Sequence, residues 1–325
     1  SDLRLTVKLN YGVDYYAERI GYFTPIPDTW QKMTDILLFW AKKGIDGFRC
    51  DMAEMVPAEF WQYATAIVKK KYKHIVFVGE VYNPYEYRRY LAAGFDWLYD
   101  KVGMYDTMRS VICGQSSTHA ISQAWQQTDD IRDHMLYFLE NHDEQRIASD
   151  FFAANAQKGV PAMIASVLMQ QNPFMLYAGE EYGERGMDRE GFSGNDGRTT
   201  IFDYWSVDTL CRAASRQLTD EEKALYDIHV KTMQIARQEK AVSDGVFFDL
   251  MYVNGHLQRQ YAFLRRIEGE LLIVVTNFDG ADATIDIHIP AHAFDYLKMK
   301  EKKTIGVDLL TKEKLAMSLK MDGKS

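Results

Sequence analysis

Gly44-Ile45-Asp46-Gly47-Phe48-Arg49-Cys50-Asp51 reads as a short buried strand that ends in a carboxylate. Side chains alternate along a strand, so Gly47, Arg49 and Asp51 share one face while Phe48 and Cys50 share the other. An arginine two residues before an aspartate on an inward face needs a reason, because buried charge is tolerated mainly when it is paired. A neighbouring guanidinium holds an aspartate ionised. Two readings follow: an ion pair that only fixes the strand, or a charge kept ready for chemistry.

Outward from this stretch the chain alternates helix and strand. Upstream, after Pro25 and Pro27, Met33, Ile36, Leu37, Trp40 and Ala41 recur at helical spacing between an N-cap at Asp28 or Thr29 and a stop at Gly44. Before the prolines, residues 5–11 have the look of a short extended piece. Downstream, Pro57 opens a helix whose apolar face is Phe60, Trp61, Ala64, Ile67 and Val68, closed by Lys69, Lys70 and Lys71 where positive charge suits the dipole. Residues 75–80 then repeat the opening pattern, an apolar run ending in the carboxylate of Glu80. A short helix is expected over 84–92, a strand over 94–100, and helix over 103–132 with a break near 114–117. A strand over 135–139 leads into Glu140-Asn141-His142-Asp143, followed by a helix over 158–171. The next strand, over 173–177, leads into Ala178-Gly179-Glu180-Glu181. A long glycine-rich, charged loop follows over 182–206, and a helix capped by Thr219 or Asp220 runs to about Lys240.

Such alternation predicts a parallel sheet with crossover helices. Asp51 and Glu80 are 29 residues apart and Glu80 and Asp143 are 63 apart, against about 31 residues per unit in an eight-unit barrel. These intervals are one unit and two units, so the carboxylates belong on barrel strands. After about residue 245 the pattern changes to short, turn-separated β runs over 246–253, 258–266, 271–278, 283–289 and 304–310. The expectation is an α/β chain: barrel units of a (β/α)8 TIM barrel over 1–244, then a small antiparallel β-sandwich domain over 245–325.

Composition narrows the function classes. The 325 residues suffice for one large domain and a smaller one. Aromatic residues are plentiful, with Tyr 20, Phe 17 and Trp 6, which suits stacking on flat faces such as sugar rings and equally suits a large core. A net charge of −8 argues against nucleic acid or an anionic membrane surface as a partner. The three cysteines, Cys50, Cys113 and Cys211, are odd in number and widely spaced, so neither a disulfide framework nor a zinc site is expected. No apolar run is long enough to span a membrane. Ser1-Asp2-Leu3-Arg4 does not have the form of a signal peptide, but a cleaved one leaves no trace, so the compartment stays open.

Three strand ends therefore carry acids: Asp51, Glu80 and Asp143. In a parallel barrel the C-terminal strand ends meet at the face where active sites sit. Paired carboxylates with separate tasks are the equipment of glycoside hydrolysis, one ionised to attack the sugar and one protonated to release the leaving oxygen. Arg49 is placed to keep Asp51 ionised, and Glu80 lies on an apolar strand where desolvation favours a protonated acid. Any one of these acids could be a helix cap or a solvated loop residue. Three at barrel intervals point to a site.

Gly47-Phe48-Arg49-Cys50-Asp51, Gly79-Glu80-Val81 and Asn141-His142-Asp143 resemble, in order, the motifs of the α-amylase family of retaining glycosidases (glycoside hydrolase family 13). The resemblance covers roughly residues 1–245, and a trailing β-domain is also usual in that family. It implies that the Asp51 strand is the fourth of the barrel, so that the chain carries about strands 4–8. It further implies Asp51 as nucleophile, Glu80 as general acid and base, and Asp143 as the acid that binds sugar hydroxyls and stabilises the transition state. Arg49 and His142 match the family's residues that orient the nucleophile and bind the sugar. The implied activity is retaining cleavage of α-glucosidic bonds in starch-like glucans or maltooligosaccharides. The alternatives are a transglycosylase (glucanotransferase) using the same residues and a non-catalytic amylase-like binding domain. Tyr177-Ala178-Gly179-Glu180-Glu181 resembles the family's last strand end, its acids shaping the loop. Gly197-Arg198-Thr199-Thr200 loosely resembles a loop of oligosaccharide-active members.

One family motif, an Asp, Asn and His near the end of the third strand, has no match here, and Lys8 stands where an acidic residue usually precedes Leu-Asn. Three earlier units need about 90 residues, and only 43 precede Gly44. The chain is thus expected to be the C-terminal part of a larger barrel, inactive alone, its open edge covered by a missing N-terminal barrel half or by a second chain. The absent Asn removes a ligand of the family's structural calcium site, so no metal is expected in this chain, although the resemblance leaves a structural calcium open for the full-length enzyme, and no cofactor is expected for the chemistry.

Overall fold

The computed structural model describes residues 9–187, 196–201 and 207–321. The extended piece expected over 5–11 and the position of Lys8 fall wholly or largely outside these residues, as does much of the loop expected over 182–206. The chain divides into two compact units.

The first unit comprises the described residues up to Val102 together with His134–Leu136. Strands β1 (Val13–Asp14) and β2 (Ile20–Gly21) form an antiparallel pair. Helix α1 (Asp28–Lys42) starts one residue earlier than a cap at Asp28 would allow, because Pro27 takes the capping position; Asp28 instead sits in the first turn and pairs with Lys32 at 2.5 Å. Of its apolar residues, Trp30 and Ala41 are buried, whereas Ile36, Phe39 and Trp40 stay about half exposed, at 49%, 54% and 50%.

Strands β3 (Gly47–Cys50), β4 (Val76–Gly79) and β5 (Trp97–Tyr99) are parallel, in register Phe48 to Phe77 and Val78 to Trp97. The Phe48 and Phe77 rings stack with centroids 5.4 Å apart, a contact worth about 1 kcal/mol beyond area burial. Helices α2 (Ala58–Lys71) and α3 (Tyr87–Ala92) are the crossovers. Phe60, Trp61, Ala64 and Val68 bury the α2 face that their spacing predicts. Lys69 reaches across to Asp96, 2.8 Å away, and to the Gly94 carbonyl, tying α2 to the entry of β5. Gly79 has no room for a side chain: a Cβ there would lie 2.8 Å from both Phe95 and Leu98.

The second unit comprises Gly103–Asp133 and the described residues from Tyr137 onward. The helical stretch expected over 103–132 consists of α4 (Asp106–Ile112) and α5 (His119–Gln126), broken at positive-φ Gly114 as expected. Strand β6 (Met135–Phe138) is shared: Met135 and Leu136 pair with β5 within the first unit, while Tyr137 and Phe138 pair with β7 (Phe174–Met175) in the second. The five-stranded order β3-β4-β5-β6-β7, all parallel, is the partial barrel that the intervals predict. Among the described residues β3 pairs with β4 alone.

Helices α6 (Val160–Leu168), α7 (Asp208–Ala214), α8 (Asp220–Gln238) and α9 (Lys240–Ser243) follow. Thr219 caps α8 in a reciprocal box with Glu222, as its sequence position predicts. Strands β8 (Val246–Asp249), β9 (Gln260–Ile267) and β10 (Glu270–Asn277) form an antiparallel sheet ordered β10-β9-β8. After helix α10 (Ala291–Tyr296), β11 (Lys302–Val307) and β12 (Lys314–Leu319) form an antiparallel pair. The strand expected over 283–289 is absent, and α10 and β12 replace the simpler pattern; both are short and lack strong periodicity. Buried Arg265 on β9 donates to the carbonyls of Ala241, Met169 and Gly245 at 2.9–3.0 Å, fastening the sheet to the residues before it. Burial pushes its guanidinium down to about 10.

Candidate active site

In the first unit, three of the expected residues meet. Asp51 lies one residue past β3 and Glu80 one past β4. The two are brought level by the ladder: the Glu80 N–H donates to the Cys50 carbonyl at 3.0 Å, and the Ala53 N–H donates to the Glu80 carbonyl at 2.9 Å. Arg49 then joins the carboxylates. One terminal nitrogen donates to Asp51 Oδ1, and the other lies 3.1 Å from Glu80 Oε1. The sequence assigns Arg49 to Asp51 alone; the structure makes it a bridge.

Arg49 is itself held by Tyr99 at the end of β5. Its Nε donates to the Tyr99 hydroxyl at 3.4 Å, and its carbon centre lies 5.4 Å from the Tyr99 ring centroid. Burial disfavours the Arg49 charge, but the bonds to Tyr99 and Asp51 and the field of Glu80 outweigh it, so its pKa is raised. Glu80 is buried, and both its oxygens are used: Oε1 also accepts from the Tyr82 hydroxyl at 2.8 Å and Oε2 accepts from the Met52 N–H at 2.7 Å. Met52 adopts a left-handed conformation at φ 42° and ψ 46°, a strained choice for a residue with a side chain. That conformation belongs to the turn whose N–H meets Glu80. Asp51, by contrast, is open, its side chain 70% exposed.

In the second unit, His142 Nε2 and Asp143 Oδ2 lie 3.2 Å apart. The Asn141 side chain accepts from the N–H groups of Asp143 and Glu144 at 2.9 and 2.8 Å, folding the motif into a tight turn. Flanking the turn in the chain is a fully buried ion pair, Glu140 with Arg146. Arg146 donates to Glu140 at 2.7 Å, to Thr199 Oγ1 at 2.8 Å and to the Ala178 carbonyl at 2.8 Å, and its guanidinium lies 4.1 Å from the Tyr177 ring centroid. Glu140 also accepts from the Ile147 N–H at 2.7 Å. Thr199 of the Gly197-Arg198-Thr199-Thr200 stretch is thus an anchor with no exposed surface, while Arg198 pairs with Asp196 and lies in the field of Asp143.

Glu180 and Glu181 shape the loop after β7 as their position suggests: Glu180 accepts from the Tyr177 N–H and Glu181 from the Gly179 N–H, at 3.2 and 2.9 Å. Burial, and next the Glu140 charge, raise the Glu180 pKa well above the ordinary carboxylate value. Glu140 has Arg146 and an N–H to support its charge, so Glu180 is the member that keeps a proton. A carboxyl protonated when folded and ionised when unfolded stabilises fully below its unfolded pKa and loses that stability as pH rises towards the folded value. Stability should therefore fall as pH rises above the ordinary carboxylate range, where the unfolded chain ionises Glu180 and the folded one does not. Glu180→Gln removes this slope, so Tm of the variant rises relative to the parent as pH increases, as read from melting curves at several pH values.

Tyr99, Tyr82, the Met52 N–H and Arg146, the partner of Glu140, escape a reading that looks for acids at strand ends. Tyr82 and Tyr99 carried a signal nonetheless: Tyr82 lies two residues past Glu80, and Tyr99 ends β5, the strand beside β4.

A family model described as the alpha amylase catalytic domain matches residues 22–243. The chain is 25% identical over 304 residues to a cyclomaltodextrinase of Thermoanaerobacter pseudethanolicus, covering 87% of this chain and 46% of that protein. It is also 25% identical over 332 residues to alpha-amylase 3 of Dictyoglomus thermophilum, covering 89% and 64%. Among solved structures, an Anoxybacillus alpha-amylase superposes with a TM-score of 0.68 at 19% identity, covering 93% of this chain and 62% of that one; this likeness bears on the fold. The chain spans about half the length of the curated relatives it matches. On the strength of the matched catalytic-domain model, the chain belongs to the alpha-amylase family.

Proposed function

We propose that this chain carries the catalytic carboxylates of a retaining α-glucosidic hydrolase acting on starch-like glucans or maltooligosaccharides. The observation that carries the reading is Arg49, one guanidinium bound to both Asp51 and Glu80. Two carboxylates that share a guanidinium are close neighbours, and retaining glycosidases hold theirs about 5–5.5 Å apart, against about 6.5–9.5 Å for inverting ones. Asp51, the open member, attacks the anomeric carbon and forms a glycosyl-enzyme. Glu80, buried and fixed by Tyr82 and Met52, protonates the leaving oxygen and then draws a proton from the incoming water. Asp143 and His142 bind sugar hydroxyls. The carboxylates supply the chemistry, so no cofactor or metal enters it. If a sugar hydroxyl replaces the water, the same residues make a transglycosylase, and product analysis with and without an acceptor sugar separates the two. Residues 1–244 are the catalytic portion and 245–325 the accompanying β-domain.

The same proposal requires more barrel than this chain supplies. Strand β3 has one partner among the described residues, and Ile36, Phe39 and Trp40 of α1 lie half exposed beside water. Parallel strands are stable when both faces and both edges are covered. We expect negligible starch hydrolysis by the 325-residue chain alone. Activity should appear when the first three strand–helix units are joined to it or supplied by a second chain. Proton NMR should then show the α-anomer forming first. Robust hydrolysis by the chain alone would refute the requirement, and a β-anomer formed first would refute the retaining mechanism.

A further inference from the structure

A cavity of about 930 Å3 opens in the second unit, and none of the residues assigned to catalysis or sugar binding above lines it. We propose that it is a second, non-catalytic binding site for an α-glucan chain, with Tyr252 and Tyr296 as its stacking surface. The choice of an α-glucan among neutral sugars rests on the proposed function.

The aromatic wall is built from two elements. On α10, His292 and Tyr296 are four residues apart and share a face, while Ala293, Phe294 and Leu297 bury the other side. Opposite them stand Phe248 of β8 and Tyr252 of the turn that follows. The Phe248 ring centroid lies 5.3 Å from His292 and 5.9 Å from Tyr296, and Tyr252 lies 5.4 Å from His292 with its hydroxyl 2.9 Å from Nε2. Tyr252 and Tyr296 nevertheless remain 57% and 63% exposed. Packing of α10 on β8 accounts for Phe248, but it leaves these two ring faces in water. Exposed aromatic surface grouped at a cavity marks a binding site more often than a core.

The wall is rigid because Asp249 fixes it. One oxygen accepts from the Met251 N–H at 2.7 Å, holding the Tyr252 turn; the other accepts from Ser122 Oγ, Trp125 Nε1 and the Tyr261 hydroxyl at 2.5–3.0 Å. The charges on the cavity's lining favour a neutral ligand over an anion: Arg132 and Arg265 are outnumbered by Asp129, Asp133, Asp244 and Asp249. Arg265 is committed to backbone carbonyls, Arg132 lies against Trp125 and Phe247, and Asp249 is saturated. What remains for a ligand are the exposed side-chain amides of Gln123, Gln126 and Gln171 and the exposed carboxylates of Asp129, Asp133 and Asp244, which accept from hydroxyls. Each amide offers a donor and an acceptor, which is what vicinal sugar hydroxyls require, while the rings take the apolar sugar face.

The test is affinity electrophoresis of the 325-residue chain through gels containing soluble starch, with a β-linked glucan as comparison. Starch should retard the chain. Tyr252→Ala with Tyr296→Ala should weaken that retardation about tenfold or more, and Tyr16→Ala, an exposed tyrosine of the other unit, should leave it unchanged. Near-UV circular dichroism checks that the double variant is folded. No retardation of the parent chain, or retention in the double variant within twofold of the parent, overturns the site. Equal, tyrosine-dependent retardation by the β-linked glucan overturns the assignment to α-glucan. Failed hydrolysis by the completed barrel alongside tyrosine-dependent starch retention overturns the proposed function alone. Normal hydrolysis without such retention overturns this site alone.

Discussion

Asp51→Asn, in a barrel completed as described above, lowers kcat by about 10⁴-fold or more. The amide has no charged oxygen with which to attack the anomeric carbon, so the covalent route is closed. Arg49 binds Asp51 through one nitrogen and Glu80 through another, so the variant keeps Glu80 and loses the nucleophile while retaining most of the site's framework. Steady-state hydrolysis of a maltooligosaccharide measures the loss, and starch-gel retention tests whether the folded surface survives it. Turnover within tenfold of the parent would remove Asp51 from the nucleophile's role.

Arg146→Ala is expected to cost about 3–5 kcal/mol of stability, the usual effect of deleting one partner of a buried ion pair. Here the side chains of Arg146 and Glu140 are 1% and 2% exposed. Removing the guanidinium strands the Glu140 charge next to Glu180, frees Thr199 and the Ala178 carbonyl, and leaves a void against Tyr177. Urea unfolding followed by tryptophan fluorescence reads the change. Replacing both partners together, Arg146→Met with Glu140→Leu, should recover part of it, because no unpaired charge is then buried. A single variant within 1 kcal/mol of the parent would show that the pair contributes little to stability.

Legibility followed the range of the interactions involved. The strands carrying Asp51, Glu80 and His142-Asp143 could be read because each is an apolar run with a polar end, and their intervals match one barrel unit or two. The α2 face of Phe60, Trp61, Ala64 and Val68 and the Thr219 cap were legible for a similar reason: the signal lies within one turn or one helix. The bridging role of Arg49 was not, since its second carboxylate comes from 31 residues away. The Arg146–Thr199 bond spans 53 positions and had no local trace at all. At the other end of the chain, α10 and β12 are six residues each, too short for periodicity to separate helix from strand.

Met52 presents its main-chain N–H, and not its side chain, to Glu80. Every amino acid but proline carries that group, so the contact is largely insulated from genetic change at position 52. The left-handed backbone disfavours β-branched replacements more than others. Within that limit the Met52 side chain, half exposed beside the carboxylates, can be exchanged without dismantling the hydrogen bond behind it. Position 52 is therefore a place where a lineage, or a designer, can vary what the neighbourhood of Asp51 accepts while inheriting the support of Glu80 intact.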